Sequence, residues 1–252
     1  MIFSQEEFNS RITKVKESMN KKGLEVLLTT DPSNMNYLTG YDGWSFYVPQ
    51  GVILSIDEDQ PFWFGRKQDS NGARITTYLN EENIFGYPEN LIQSPPSHPY
   101  DFVVELFKDK KWSHKNIGVE MDSYYYTAEN HKRLKENLEN AKFINAHLLI
   151  NWVRYIKSEN EIKYMKDAGT LVKAGMQTAF DSIKEGVKQS TVAGKIQNTL
   201  IAGNEETQMG GEYAGLGLIL ASGRSASASH LTPSEKKFEN NEGTIIELGG
   251  VK

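Results

Sequence analysis

The sequence predicts an α/β protein in two parts, a first domain over residues 1–150 and a second over residues 151–252. Three observations predict it. Short apolar runs alternate with amphipathic stretches through the first part. A second helix-start signal follows at Ser158, ahead of a long helical period. In the last third, two apolar runs at 216–220 and 244–248 flank a polar excursion, the pattern of a strand, a long loop and a second strand.

Taken in order, Ser4 followed three residues later by Glu7 reads as a capping box. Phe8, Ile12, Val15 and Met19 then recur at helical spacing until Gly23, which predicts an amphipathic helix. Residues 25–30 form a buried-strand pattern, and Asp31-Pro32-Ser33-Asn34 opens a turn or short helix. Further strands are expected at 51–56, 62–65, 84–87 and 116–120, with helical stretches near 100–107 and 128–138. Apolar and aromatic residues in 146–158 dock the linker, and Ser158 with Glu161 forms the second capping box. Ile162, Met165, Val172, Met176, Ala179, Phe180 and Ile183 follow one helical face, and a further helix over 191–201 ends at Gly203. Their apolar stripes are expected to cover one face of the final sheet.

At 252 residues the chain can bury one large core or two ordinary ones. With 28 basic and 33 acidic residues and a net charge of −5, it carries no basic footprint for nucleic acid. There is no cysteine, which excludes a disulfide framework, a thiol nucleophile and a Cys-ligated metal, and fits a reducing cytoplasm. The N-terminus is too charged for a signal peptide, and no apolar run approaches the roughly 18 residues of a membrane span. The expectation is a soluble cytoplasmic protein.

The candidate chemistry lies in the last third. His230 sits in the polar excursion and Glu247 in the second apolar run. If the two strands lie side by side, both side chains can face one cleft. Imidazole changes charge near neutral pH and a partly buried carboxylate can be tuned, so the pair could serve acid/base or nucleophilic hydrolysis. Equally, a His in a Ser-rich loop reads as a solvated residue, and a Glu beside Gly-Gly as the end of a strand. The paired Gly210-Gly211 ahead of Tyr213 allows close backbone approach, but no Walker spacing is present to cradle phosphate. In the first domain, Trp44, Phe46 and Tyr47 cluster behind Gly40, Asp42 and Gly43. Composition alone reads them as core aromatics, whereas a Gly/Asp-rich turn presents its side chains.

Several of these segments carry a resemblance. Ala221-Ser222-Gly223, then His230, then Glu242-Gly243-Thr244 before Glu247 resembles the first half of the catalytic domain in the creatinase/aminopeptidase P/methionine aminopeptidase superfamily, the pita-bread fold. Lys157-Ser158 with Glu161-Ile162 resembles the entry to that domain. Residues 31–54 are similar to a segment of the bacterial ectoine hydrolases, in the creatinase-like branch. So are Gly65-Arg66 with Asp69, Asn71, Gly72 and Ala73, then Gly86-Tyr87-Pro88, Gln93-Ser94 with His98-Pro99, and residues 117–128. The similarity runs from about residue 6 to residue 250.

The resemblance implies a creatinase-type N-terminal mixed-sheet domain, followed by the first half of a pita-bread catalytic domain. It implies a C–N hydrolase that opens a small cyclic amidine acid and works as a homodimer. His230 would transfer protons, and Glu247 would act as nucleophile or base. Trp44, Phe46, Tyr47, Gly211 and Tyr213 would bind substrate. In members acting on peptides, the position of Glu247 is usually Asp and binds one of two divalent metals. The extra methylene of Glu moves the carboxylate by about an ångström, so no metal ligand is assigned and no cofactor is favoured. Two departures from the ectoine branch stand in the loop, Ser225 where that branch has Asp and Ser229 where it has Pro, with Arg224 as an added cation. Two alternatives stand beside this reading: a Mn-, Co- or Zn-dependent Xaa-Pro peptidase, and a non-catalytic binding relative. The resemblance also implies a truncated catalytic domain, inactive over residues 1–252 alone.

Overall fold

The computed structural model describes residues 2–213, 215, 217–228 and 230–252. It divides into two compact units, Met1–Ile156 and Lys157–Lys252. The expectations that fall on Leu216, where the first of the final strands was to begin, and on Ser229 lie outside the described residues.

In the first unit, helix α1 (Gln5–Lys21) starts where Ser4 Oγ accepts from Glu7 N at 3.3 Å, and it buries Phe8, Ile12, Val15 and Met19. Strand β1 (Val26–Thr29) leads into α2 (Pro32–Thr39), whose N-terminal N–H groups at Ser33 and Asn34 are capped by Asp31 Oδ1. Then follow β2 (Gly51–Ser55), β3 (Phe62–Arg66), α3 (Ser70–Thr76), β4 (Ile84–Tyr87), α4 (Pro99–Asp109), β5 (Asn116–Val119), α5 (Ala128–Asn137), β6 (Lys142–Asn145) and α6 (Leu149–Val153). The sheet order is β4-β3-β2-β1-β5-β6. Strand β2 runs antiparallel to both β1 and β3, while β1 pairs parallel with β5, β5 with β6, and β3 with β4. The sheet is therefore mixed, with β2 the one reversed strand.

Both faces are covered, which is why the central strands are apolar without alternation. Leu27, Val52, Leu54 and Trp63 point to a layer built from α1, α2 and α6. Val26, Leu28, Ile53, Phe62 and Phe64 point to a layer of α4 and α5, where Tyr100, Val103, Phe107 and Leu134 meet them. The sequence pattern did not call α3, β6 or α6. These are short, and β6 is an edge strand whose burial is only partial, so its apolar signal is weak.

The second unit begins with α7 (Glu159–Ser182), closed at its start by a reciprocal capping box: Ser158 Oγ accepts from Glu161 N, and Glu161 accepts from Ser158 N. Helix α8 (Gln189–Ala202) lies against it, and the antiparallel pair β7 (Ile219–Ser222) and β8 (Thr244–Glu247) covers them. Leu171, Ala179, Val192, Ile196, Leu200, Leu220 and Phe238 form the core. The buried stripe of α7 is Leu171, Ala174, Gly175 and Ala179, whereas Met165 and Phe180 are exposed. The expected stripe thus turns about the helix axis, because small residues face the close-packed α8. Among the described residues, no helix is long and apolar enough to cross a membrane.

Candidate active site

The aromatic segment of the first unit is a loop joining α2 to β2. Gly40, with φ 80°, ends α2 in the left-handed conformation that a Cβ would strain, and the chain leaves the helix there. Beneath the loop runs a buried hydrogen-bond chain. Ser45 Oγ donates to Gln50 Oε1 at 2.6 Å, so its one proton is used, and the Tyr41 hydroxyl is the donor in the 2.5 Å contact with Ser45 Oγ. Burial raises the Tyr41 phenol above its ordinary pKa, which keeps that donor protonated. Above this chain, Trp44 and Tyr47 are 58% and 68% exposed, so neither is a core aromatic. The Trp44 and Phe46 rings lie 5.2 Å apart, and Phe46 meets Tyr125 edge-on at 6.1 Å. Tyr125 comes from the segment after β5, a support that periodicity did not point to.

Near the same segment, Asp31, Asn34, Glu120, Ser123, His147 and Asn151 line a polar cavity of about 230 Å3 at the carboxyl ends of β1, β5 and β6. Its one deeply buried carboxylate is Glu120, which accepts from Thr30 N, Asp31 N and Asn34 Nδ2. Sequence reasoning gave Glu120 no role. The available signal was a carboxylate directly following a buried strand.

In the second unit, β7 and β8 lie side by side, with Ile219 opposite Glu247 and Ser222 opposite Thr244. Side chains alternate along β8. Ile246, and Leu248 beyond the strand end, pack into the helical core, so Ile245 and Glu247 project from the sheet face turned away from α7 and α8. Glu247 is exposed there, and His230 is exposed in the connecting loop with φ 63°. Among the described residues, no hydrogen bond or ion pair joins His230 to Glu247. Gly211 packs tightly: a Cβ on it would lie 2.5 Å from Leu200 O and 2.8 Å from Val251 O. Glu212 N donates to Val251 O at 3.2 Å, so the segment carrying Gly211 and the half-buried Tyr213 runs beside the chain just beyond Glu247.

Divalent metal chemistry would need several oxygen or nitrogen donors converging on one point. Among the described residues, no three His, Asp or Glu side chains are grouped so as to hold a metal ion. The donors among the described residues thus do not form a metal-ligand set.

Residues 11–156 match the creatinase/prolidase N-terminal domain, and residues 163–252 match metallopeptidase family M24. The chain is 41% identical to an ectoine hydrolase of Halomonas elongata over 99% of its own length and 63% of that protein. It is 38% identical to an uncharacterised hydrolase/peptidase of Sinorhizobium fredii, again over 99% of this chain and 63% of the relative. Among solved structures, a recombinant prolidase from Thermococcus sibiricus superposes with a TM-score of 0.78 at 19% identity, covering 97% of this chain and 62% of that one. The chain thus spans under two thirds of the length of the proteins it matches.

Proposed function

The chain belongs to the creatinase/prolidase family, with an M24-type segment following the N-terminal domain, and from that premise we propose that the protein is a C–N hydrolase of the creatinase-like branch acting on a small cyclic amidine acid of the ectoine type. The observation that carries this reading is the 41% identity with an ectoine hydrolase across nearly the whole chain, against 19% with the prolidase of similar fold. In this reading, Glu247 takes a proton from water, whose oxygen attacks the amidine carbon, or attacks that carbon itself to give an ester-like intermediate that water then hydrolyses, freeing Glu247. The new C–O bond forms as the ring C–N bond breaks, and His230 gives its proton to the departing nitrogen. Trp44, Phe46, Tyr47, Gly211 and Tyr213 are the substrate-binding residues of this reading. The working protein is a cytoplasmic homodimer.

A second reading, a metal-dependent Xaa-Pro peptidase, draws on the prolidase-like fold. It needs a metal-ligand set that the described residues do not assemble. Purified protein assayed on ectoine, creatine and an Xaa-Pro dipeptide, each with and without Mn²⁺, separates the two. Ring opening of ectoine is expected of the full-length protein, with a loss of about 10²-fold or more in kcat for His230→Ala in it. Cleavage of the dipeptide alone would overturn the assignment.

A further inference from the structure

The loop that carries His230 is held at its base by polar groups that no expected role accounts for. Gln189, at the start of α8, is 1% exposed, and both ends of its amide are used. Its Nε2 donates to Ser222 Oγ at 3.1 Å, at the end of β7. Its Oε1 accepts from Ser234 N at 3.1 Å and Ser234 Oγ at 2.8 Å, where the loop returns. Lys236 Nζ donates to Glu242 Oε2 at 2.5 Å and lies 3.4 Å from Ser222 Oγ. The Glu242 carboxylate fills the space a Cβ would take on Gly223, whose φ of 60° turns the chain out of β7. Lys236 beside it holds that carboxylate below the usual range.

Backbone bonds complete the base. Gln189 N donates to Lys236 O, Ser190 N to Ser234 O and Phe238 N to Val187 O, while Phe238 is buried in the core. Residues after Ser234 are thus fixed to the edge of α8, and Ser225 Oγ holds the outgoing arm through Ser222 O. His230 lies on the stretch between these two fixed ends. Ser222 is also the register partner of Thr244, on the strand that carries Glu247. Both arms of the loop that carries His230 are therefore tied to the strand pair that carries Glu247.

We propose that Gln189, Ser222, Lys236 and Glu242 form a clamp that positions His230, with Lys236 and Glu242 as positioning residues for proton transfer. The inference rests on the hydrolase reading only in its last step, the proton transfer. The test uses ring-labelled histidine in the protein, which has five His residues, the His230 signal being identified with His230→Gln. In Lys236→Met, the His230 signal is expected to shift or broaden while the other four keep their positions, and Lys236→Arg is expected to restore it. Glu242→Gln, which keeps shape and removes the charge, should act in the same direction. In turnover, Lys236→Met is expected to lower kcat by about 10²-fold, the scale of a misplaced catalytic group, with the larger effect on kcat than on KM. An unmoved His230 signal in both folded variants would overturn the clamp. A moved signal with unchanged kcat would leave the loop clamped and overturn its role in proton transfer. The hydrolase reading fails separately, through absence of ring opening by the unaltered full-length protein.

Discussion

Glu120 and Asn34 share a 2.7 Å hydrogen bond between Oε1 and Nδ2 that joins the end of β5 to the first turn of α2. Asn34 is itself fully engaged: Nδ2 also donates to Asn151 Oδ1, and Oδ1 accepts from Arg154 Nη1. Glu120→Gln would place an N–H donor against the Asn34 donor or against the two backbone N–H groups that the carboxylate now serves. Turning the Asn34 amide instead breaks its bonds to Asn151 and Arg154. The expected loss is about 1–3 kcal/mol, the cost of a buried polar group left unmatched. Urea unfolding of the first unit reads it directly, and a midpoint equal to that of the unaltered protein would show the contact to be dispensable.

Much of both units was legible because the signals are local. Ser4, Asp31 and Ser158 mark helix starts by side-chain capping, which depends only on residues a turn away. The central strands were legible as apolar runs because helices cover both faces. What escaped was set by tertiary contact. Tyr125 supports Phe46 from a distant segment, Glu120 is satisfied by two backbone donors of the turn after β1 and by Asn34 of α2, and the base of the His230 loop is closed by Gln189 from another helix. None of these leaves a period or a spacing in the sequence. The final strand pair was anticipated with its first member displaced toward the N-terminus, since Leu218 is as apolar as the residues that make the ladder.

Trp44 offers a separable test of the aromatic loop. Trp44 is 58% exposed and its ring packs against that of Phe46, so Trp44→Ala is expected to cost only about 0.5–1.5 kcal/mol, the scale of one aromatic pair. If the ring covers bound substrate, KM should rise several-fold with kcat nearly kept, the signature of lost ground-state binding. Ser45→Ala provides the companion measurement, because it cuts the Tyr41 to Gln50 chain under the loop while leaving Trp44 in place. An unchanged KM in Trp44→Ala, together with intact stability, would remove the loop from the substrate site.

The first unit should also lose stability on mild acidification, through His98. That residue caps α4: Nδ1 accepts from Tyr100 N at 3.1 Å, while Asp101 Oδ2 accepts from His98 N. The ring must therefore be neutral, with its proton on Nε2. Burial, and then the nearby Arg133, hold the His98 pKa below its ordinary value, and burial does the same for His131. The folded chain thus binds fewer protons than the unfolded one in this range, so stability increases with pH. The contribution is complete above the unfolded value of about 6.5 and is lost as pH falls through the lower folded value. Carboxylates such as Glu25, lowered by its bond from Asn116 N and by Lys115, lose their contribution only at more acid pH, and Asp69, raised by burial, acts with the opposite sign, so the histidines govern the fall just below their unfolded value of about 6.5. Thermal unfolding should show a falling Tm as pH drops below that value. His98→Asn keeps a capping side chain that does not titrate, so its Tm should fall less steeply, with the remaining slope due to His131. Identical slopes for the two proteins would show that His98 keeps its cap when protonated.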